Sequence, residues 1–131
     1  QNKRTEIVKN PKVYFFDTGL RNSTINDFRK LSDRPDHGSL LENGLAMQFI
    51  KKNTPFSFWR DKKQHEIDFV VDFGNRNLMA IESKAYLKSD ISPSVTTFKN
   101  LYPSIPLQFV YENVTSNPPQ SLKNISPAYL L

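Results

Sequence analysis

In the stretch AIESKAYL, residues 80 to 87, an apolar run is interrupted by Glu82 and Lys84, opposite charges two positions apart. Residues i and i+2 of a strand point to one face of a sheet, so the acid and the amine would project together. That arrangement is costly in a core and useful in a metal site. Upstream, HEIDFVVDF (65–73) places Ile67, Phe69, Val71 and Phe73 on one apolar face and Glu66, Asp68 and Asp72 on the other with Val70. On the later strand Glu82 and Lys84 share a face with Leu78 and Ala80, and a hairpin in suitable register sets Asp68 beside Glu82. Two carboxylates that close repel unless a cation sits between them. A hard divalent ion with oxygen ligands, Mg²⁺ or Mn²⁺, is the natural guest, and Lys84 beside it could orient a water or stabilise charge on a phosphate.

The elements that must position these residues follow from periodicity. SLLENGLAMQFIKK, from Ser39, spaces Leu41, Leu45 and Phe49 as an amphipathic helix and ends in Lys51 and Lys52, as the helix dipole prefers. FSFWR, HEIDFVVDF and LMAIESKAYL, joined by polar DKKQ and GNRN turns, read as a three-stranded meander. Ser92 and Pro93 supply an N-cap and a first-turn proline for a helix with Val95, Phe98, Leu101 and Tyr102 on one face, stopped by Pro103. LQFVY is a last core strand, and the tail after it starts Pro-rich and ends apolar, which predicts a docked segment. From Ser39 the order is helix, strand, strand, strand, helix, strand: an α/β fold with a sheet flanked by helices.

Before Ser39 the spacing predicts a strand over KVYFF, a turn at Asp17-Thr18-Gly19, and a helix in NSTINDFRKL with Ile25, Phe28 and Leu31 as its stripe and Asn22 or Ser23 as its cap. SDRPDHG reads as a loop. The chain opens on Gln1 rather than Met, the expectation for a piece of a longer protein.

At 131 residues the chain is the size of one domain with a real core. A composition of 37% hydrophobic and 24% charged residues fits a globular chain rather than a disordered one. No apolar run approaches the roughly 20 residues needed to span a bilayer, so no membrane partner is expected. Residues 1 to 12 lack a signal-peptide core, and the absence of Cys rules out disulfides, thiolate catalysis and Cys-ligated zinc. Together these predict a cytoplasmic protein. A formal charge of +5 and a pI near 9.5 favour an anionic partner such as nucleic acid.

Each candidate residue has a structural reading beside the chemical one. Glu42 stands three after Ser39, the spacing of a capping box, as well as being a candidate metal ligand. Asp68 could be an ion-pair partner of Arg60, and Glu82 and Lys84 could pair with each other on a solvated strand face. His65 lies on the opposite strand face from Asp68 and reads as structural or exposed. His37 with Asp33 and Asp36 imitates a metal cluster, but its surroundings have the composition of a turn. Trp59 with Arg60, Lys62 and Lys63 could form an aromatic and basic nucleic-acid contact, or a solvated turn beside a packed Trp.

An Asp on one strand and Glu-x-Lys on the next, after a helix carrying a Glu, resembles the PD-(D/E)XK nuclease superfamily with its restriction-endonuclease-like αβββαβ core. More closely, KVYFFDTGL, LLENGLAMQFI, FWRDKKQHEIDFVVD and AIESKAYL, in that order, resemble the domain of unknown function at the C-terminal end of many prokaryotic AAA+ ATPases. The resemblance spans about residues 11 to 110 and rests on four ordered blocks, since the Asp and Glu-x-Lys patterns are short. It implies that Asp68 and Glu82 bind the metal, that Lys84 assists the attacking water, and that Glu42 is a further ligand or positions one. Ile67 stands where the superfamily pattern has proline, and no Gln-x-x-x-Tyr follows Lys84 as it does in helicase-linked exonucleases of this class.

Members of the ATPase family carry a P-loop and a winged-helix segment upstream, which would be partners of this domain in the full-length chain. With four Gly and no G-x-x-x-x-G-K-[ST], this chain has no ATP site of its own. Residues 1–20 then read as a remnant of the linker and winged-helix region plus a first strand, and residues 21–131 as the nuclease-like domain. The implied function is nucleic-acid binding, DNA favoured, with divalent-metal-dependent phosphodiester hydrolysis. The alternative is a non-catalytic nucleic-acid or protein interaction module with a vestigial site, serving its ATPase.

Overall fold

The computed structural model describes residues 12–30, 33–84, 91–111 and 125–127. Helix α1 (Thr18–Thr24) and helix α2 (His37–Lys51) precede strands β1 (Phe56–Arg60), β2 (Glu66–Asp72) and β3 (Leu78–Lys84). Helix α3 (Pro93–Leu101), β4 (Leu107–Tyr111) and β5 (Ile125–Pro127) follow. The five strands form one mixed sheet in the order β1-β2-β3-β4-β5. Neighbours are antiparallel across β1–β2 and β2–β3 and parallel across β3–β4 and β4–β5. Parallel β3 and β4 need a long crossover, and α3 supplies it.

The two longer helices cover opposite faces of this sheet. Leu45, Ala46 and Phe49 of α2 pack with Phe69, Val71, Ile81 and Val110. Val95 and Phe98 of α3 pack with Ala80, Leu107 and Phe109. Neighbours in sequence, Ala80 with Ile81 and Phe109 with Val110, fall into different clusters, as two-residue alternation demands. The predicted stripe of Leu41, Leu45 and Phe49 is buried. Ser92 caps α3 as expected, its hydroxyl accepting from the Val95 N–H at 3.3 Å, with Pro93 in the first turn. Leu101 departs from the predicted face and is exposed, while Tyr102 packs against Phe98 and Trp59.

Strand β2 does not keep the unbroken apolar face that alternation predicts. Ser57 pairs with Val70 and Trp59 with Ile67, so Phe58 stands opposite both Asp68 and Phe69. This is a β-bulge: one extra residue resets the alternation beyond it. Ile67 accordingly packs in the α3 cluster while Phe69 packs under α2, and Phe73 lies past the strand end, half exposed.

The N-terminal expectations are corrected in three places. Residues 12–16 form no strand. They are held by Asn43 of α2, whose side chain accepts from the Phe15 N–H at 2.7 Å and donates to the Phe15 carbonyl at 2.9 Å, doing for one residue what a ladder neighbour would do. Asp17-Thr18-Gly19 opens a helix instead of a turn, with Asp17 Oδ1 accepting from the N–H groups of Gly19 (2.7 Å) and Leu20 (3.2 Å). That helix stops before the Ile25 and Phe28 stripe, both of which are exposed. Asn26, at φ 51°, follows its end. Leu31 lies outside the described residues.

At the other end, Ile125–Pro127 adds a strand to the predicted order by lying parallel to β4, and the rest of the tail is outside the described residues. The architecture is a mixed α/β sheet flanked by helices. Among the described residues no helix is long and apolar enough to cross a membrane.

Candidate functional site: an acidic fork between two strands

The paired residues of β2 and β3 run from Asp72–Leu78 to Phe69–Ile81. One step further, side chains take over the backbone donors. The Asp68 N–H donates to Glu82 Oε2 (3.3 Å), and the Ser83 N–H and hydroxyl donate to Asp68 Oδ2 (2.8 and 2.6 Å). The structure therefore sets Asp68 beside Glu82 across the hairpin. Lys84 Nζ lies 2.7 Å from Glu82 Oε1. These two do pair, but Glu82 is only 6% exposed and does not stand on a solvated face.

Charge is short in this fork. Burial first, and the neighbouring Asp68 second, push the Glu82 carboxyl up to about 7 against the opposing pull of Lys84. Glu42 is raised for the same two reasons, with Lys12 partly offsetting them.

The residue that pattern reading missed is Lys12. Its Nζ lies 2.6 Å from Glu42 Oε1, 2.5 Å from Glu66 Oε1 and 3.8 Å from Asp68 Oδ1. Burial works against its charge, but the bonds to Glu42 and Glu66 outweigh that and hold the ammonium above its usual range. The Tyr14 hydroxyl also donates to Glu42 Oε1, at 3.3 Å. No spacing rule marks Lys12, because it reaches the acids across a gap of some thirty residues. The available signal was a single cation at the head of the apolar VYFF run, inside one of the blocks that carry the family resemblance.

Other assignments change accordingly. Helix α2 begins at His37, so Ser39 is inside it and Glu42 caps nothing; its carboxylate faces Lys12 and Tyr14. Arg60 pairs with Glu66, not Asp68, through Nε at 2.7 Å, and its guanidinium lies 5.1 Å from the centre of the Phe58 ring. Burial tends to raise the Glu66 carboxyl, but bonds from Lys12 and Arg60 win and lower it. His65 is structural, its Nδ1 lying 2.7 Å from Asp61 Oδ2 within the β1–β2 turn. Asp36, next to His37, is engaged by Arg34 and Arg21. Trp59 packs edge-on against Phe98 and Tyr102, while Lys62 and Lys63 are exposed on the turn. A groove of about 340 Å³ opens beside the cluster, lined by Lys12, Tyr14, Arg21, Glu42, Asn43 and Glu66. Asp68, Glu82 and Lys84 do not line it.

As they stand, no three or more His, Asp or Glu side chains among the described residues are arranged to hold a metal ion. The donor chemistry of the fork nonetheless fits a hard divalent cation. It is all oxygen, it comes from α2, β2 and β3, and two of its carboxyls, Glu42 and Glu82, are held above the ordinary range. Mg²⁺ is commonly held by one or two carboxylates, completed by water and substrate phosphate rather than by a full protein cage.

Fold and fork together define a mixed α/β domain with a buried carboxylate, Glu82, and part-buried acids beside it where β2 and β3 part. Residues 37–130 match the family described as a domain of unknown function, DUF4143, and the chain belongs to that family. No curated protein and no solved structure matches the chain.

Proposed function

We propose that this chain is a PD-(D/E)XK-like domain, C-terminal to an AAA+ ATPase and a winged-helix segment in its full-length protein. On this reading it binds DNA and hydrolyses phosphodiesters with Mg²⁺ or Mn²⁺. The observation that carries the reading is the Asp68–Glu82 pair across the fork, with Lys84 Nζ on Glu82. Asp68 and Glu82 are the residues that would hold the ion, with Glu42 as an outer acid. When bound, such an ion polarises the phosphate and lowers the pKa of a water. Lys84 stabilises the charge that develops on the phosphate and orients that water. Ser83 fixes Asp68 through two bonds, and the bulge beside Phe58 sets where Asp68 leaves the strand. Lys62 and Lys63, exposed on the adjoining turn, suit contact with backbone phosphates.

The test is cleavage of linear and supercoiled DNA by the purified domain with Mg²⁺ or Mn²⁺. Nicking that disappears in Asp68→Asn and in Glu82→Gln supports the reading, and nicking that survives both changes removes it.

A second reading is favoured by Lys12, whose ammonium already supplies a cation to Glu42, Glu66 and Asp68. On that reading the domain is a non-catalytic module that recognises nucleic acid for its ATPase. Salt-sensitive DNA binding with no cleavage at millimolar Mn²⁺ would select it.

A further inference from the structure

Residues 12–15 form a strap that touches α2 at Glu42 and Asn43 and belongs to no strand. Two bonds from Asn43, itself 4% exposed, fix the backbone of Phe15. Three residues earlier the strap delivers Lys12, whose ammonium touches Glu42 and Glu66 and approaches Asp68. The acids come from α2 and β2, inside the region that matches the family, whereas the strap lies before residue 37.

We propose that Lys12 is a tethered counter-cation that competes with a divalent metal for the acidic fork, so that the 12–15 strap sets the metal affinity of the domain. The proposal rests on the metal-binding reading above and adds to it a residue that the family pattern does not assign. Its physical basis is simple. A fixed ammonium next to Asp68 and Glu42 repels an incoming dication and occupies the lone pairs that the ion would use. The strap that carries it is held to α2 by the two Asn43 bonds and by the Tyr14 hydroxyl on Glu42, and Tyr14 packs against Phe56 and Phe69.

The experiment is calorimetric titration of the whole chain with MnCl₂, in wild type, Lys12→Gln, Lys12→Arg and Asn43→Ala, with folding checked by circular dichroism. Lys12→Gln is expected to bind Mn²⁺ at least about tenfold more tightly than wild type, because a full positive charge leaves the fork. Lys12→Arg should stay near the wild-type affinity, which separates charge from volume. Asn43→Ala, which loosens the strap but keeps the lysine, should gain in the same direction by less, and it carries the test if Lys12→Gln fails to fold. Adding Asp68→Asn to Lys12→Gln should cancel the gain.

Wild-type binding that Lys12→Gln leaves unchanged or weakens overturns the competition while leaving the metal reading intact. Absence of Mn²⁺ binding in every variant overturns both.

Discussion

Two ionic clusters, one around α1 and the segment before α2 and one where β2 and β3 part, are built in opposite ways. Around Asp27 and Asp36, three arginines converge. Arg34 donates from Nε and Nη2 to Asp36 (2.9 and 2.8 Å) and from Nη1 to Asn22 Oδ1 and the Asp27 carbonyl. Arg21 adds a bond to Asp36, and Arg29 two to Asp27. Every one of these residues lies between positions 21 and 36. Positive charge is abundant there, and bonds from the guanidinium groups hold both aspartates below the ordinary carboxylate range, Asp27 at about 2.

In the fork the balance is reversed. Glu42, Glu66, Asp68 and Glu82 face Lys12, Arg60 and Lys84, and Glu42 and Glu82 titrate above their ordinary values. A cluster with its charge met by rigid, bidentate guanidinium groups is scaffold. A cluster built on a buried carboxylate and short of a cation is the place to look for a ligand.

The comparison can be broken most sharply by neutralising one acid in each cluster. Asp68→Asn and Glu82→Gln are expected to lower Mn²⁺-dependent DNA cleavage by about a hundredfold or more while leaving a folded domain, since each removes charge placed for the reacting phosphate. Asp36→Asn should leave cleavage unchanged and lower the melting temperature instead. A steady-state nicking assay and a thermal melt on the same preparations decide it.

Stability against pH should separate the clusters next. Glu82 holds its proton more tightly folded, at about 7, than at its ordinary 4.5. Its contribution is full below 4.5 and is lost as pH rises through 7. Asp27 and Asp36 shift the other way, so theirs is present above 3.8 and lost as pH falls through their lowered values. Urea melts from pH 2 to 8 should therefore show stability falling on both sides of a maximum in the weakly acidic range. Glu82→Gln should flatten the neutral side, and Asp27→Asn the acid side.

Asn43→Ala removes both bonds to the Phe15 backbone and should cost about 1–3 kcal/mol in urea unfolding, with the loss confined to the strap and α2 in hydrogen exchange. The smallest effect is expected on the surface. Lys62→Gln and Lys63→Gln should each weaken DNA binding without sequence preference and reduce the slope of log K against log salt by about one.

The pairing of Asp68 with Glu82 was legible because both strands advertise their period, and a hairpin with a GNRN turn leaves few registers that bury Phe69 against Ile81. The stripe of α2 and the Ser92-Pro93 start of α3 were legible for the same kind of reason, being local patterns with local causes. Ile67 was misassigned because a bulge depends on which residue of β1 lies opposite, and β2 alone does not contain that information. Glu42 illustrates the same limit. Its spacing from Ser39 suited a cap, but the helix begins two residues earlier, and a lysine thirty positions away claims the carboxylate.

The amino-acid order by itself determined the mixed α/β plan, the two core helices and the strand residues that carry charge, because hydrophobic period and capping act over a few neighbouring positions. Only the tertiary structure decided where the charges go: that Lys12 enters the acids, that Asn43 straps it there, and that Arg60 serves Glu66. Those pairings join distant parts of the chain. Coulomb attraction and hydrogen bonding depend on separation in space, and spacing along the chain does not encode it.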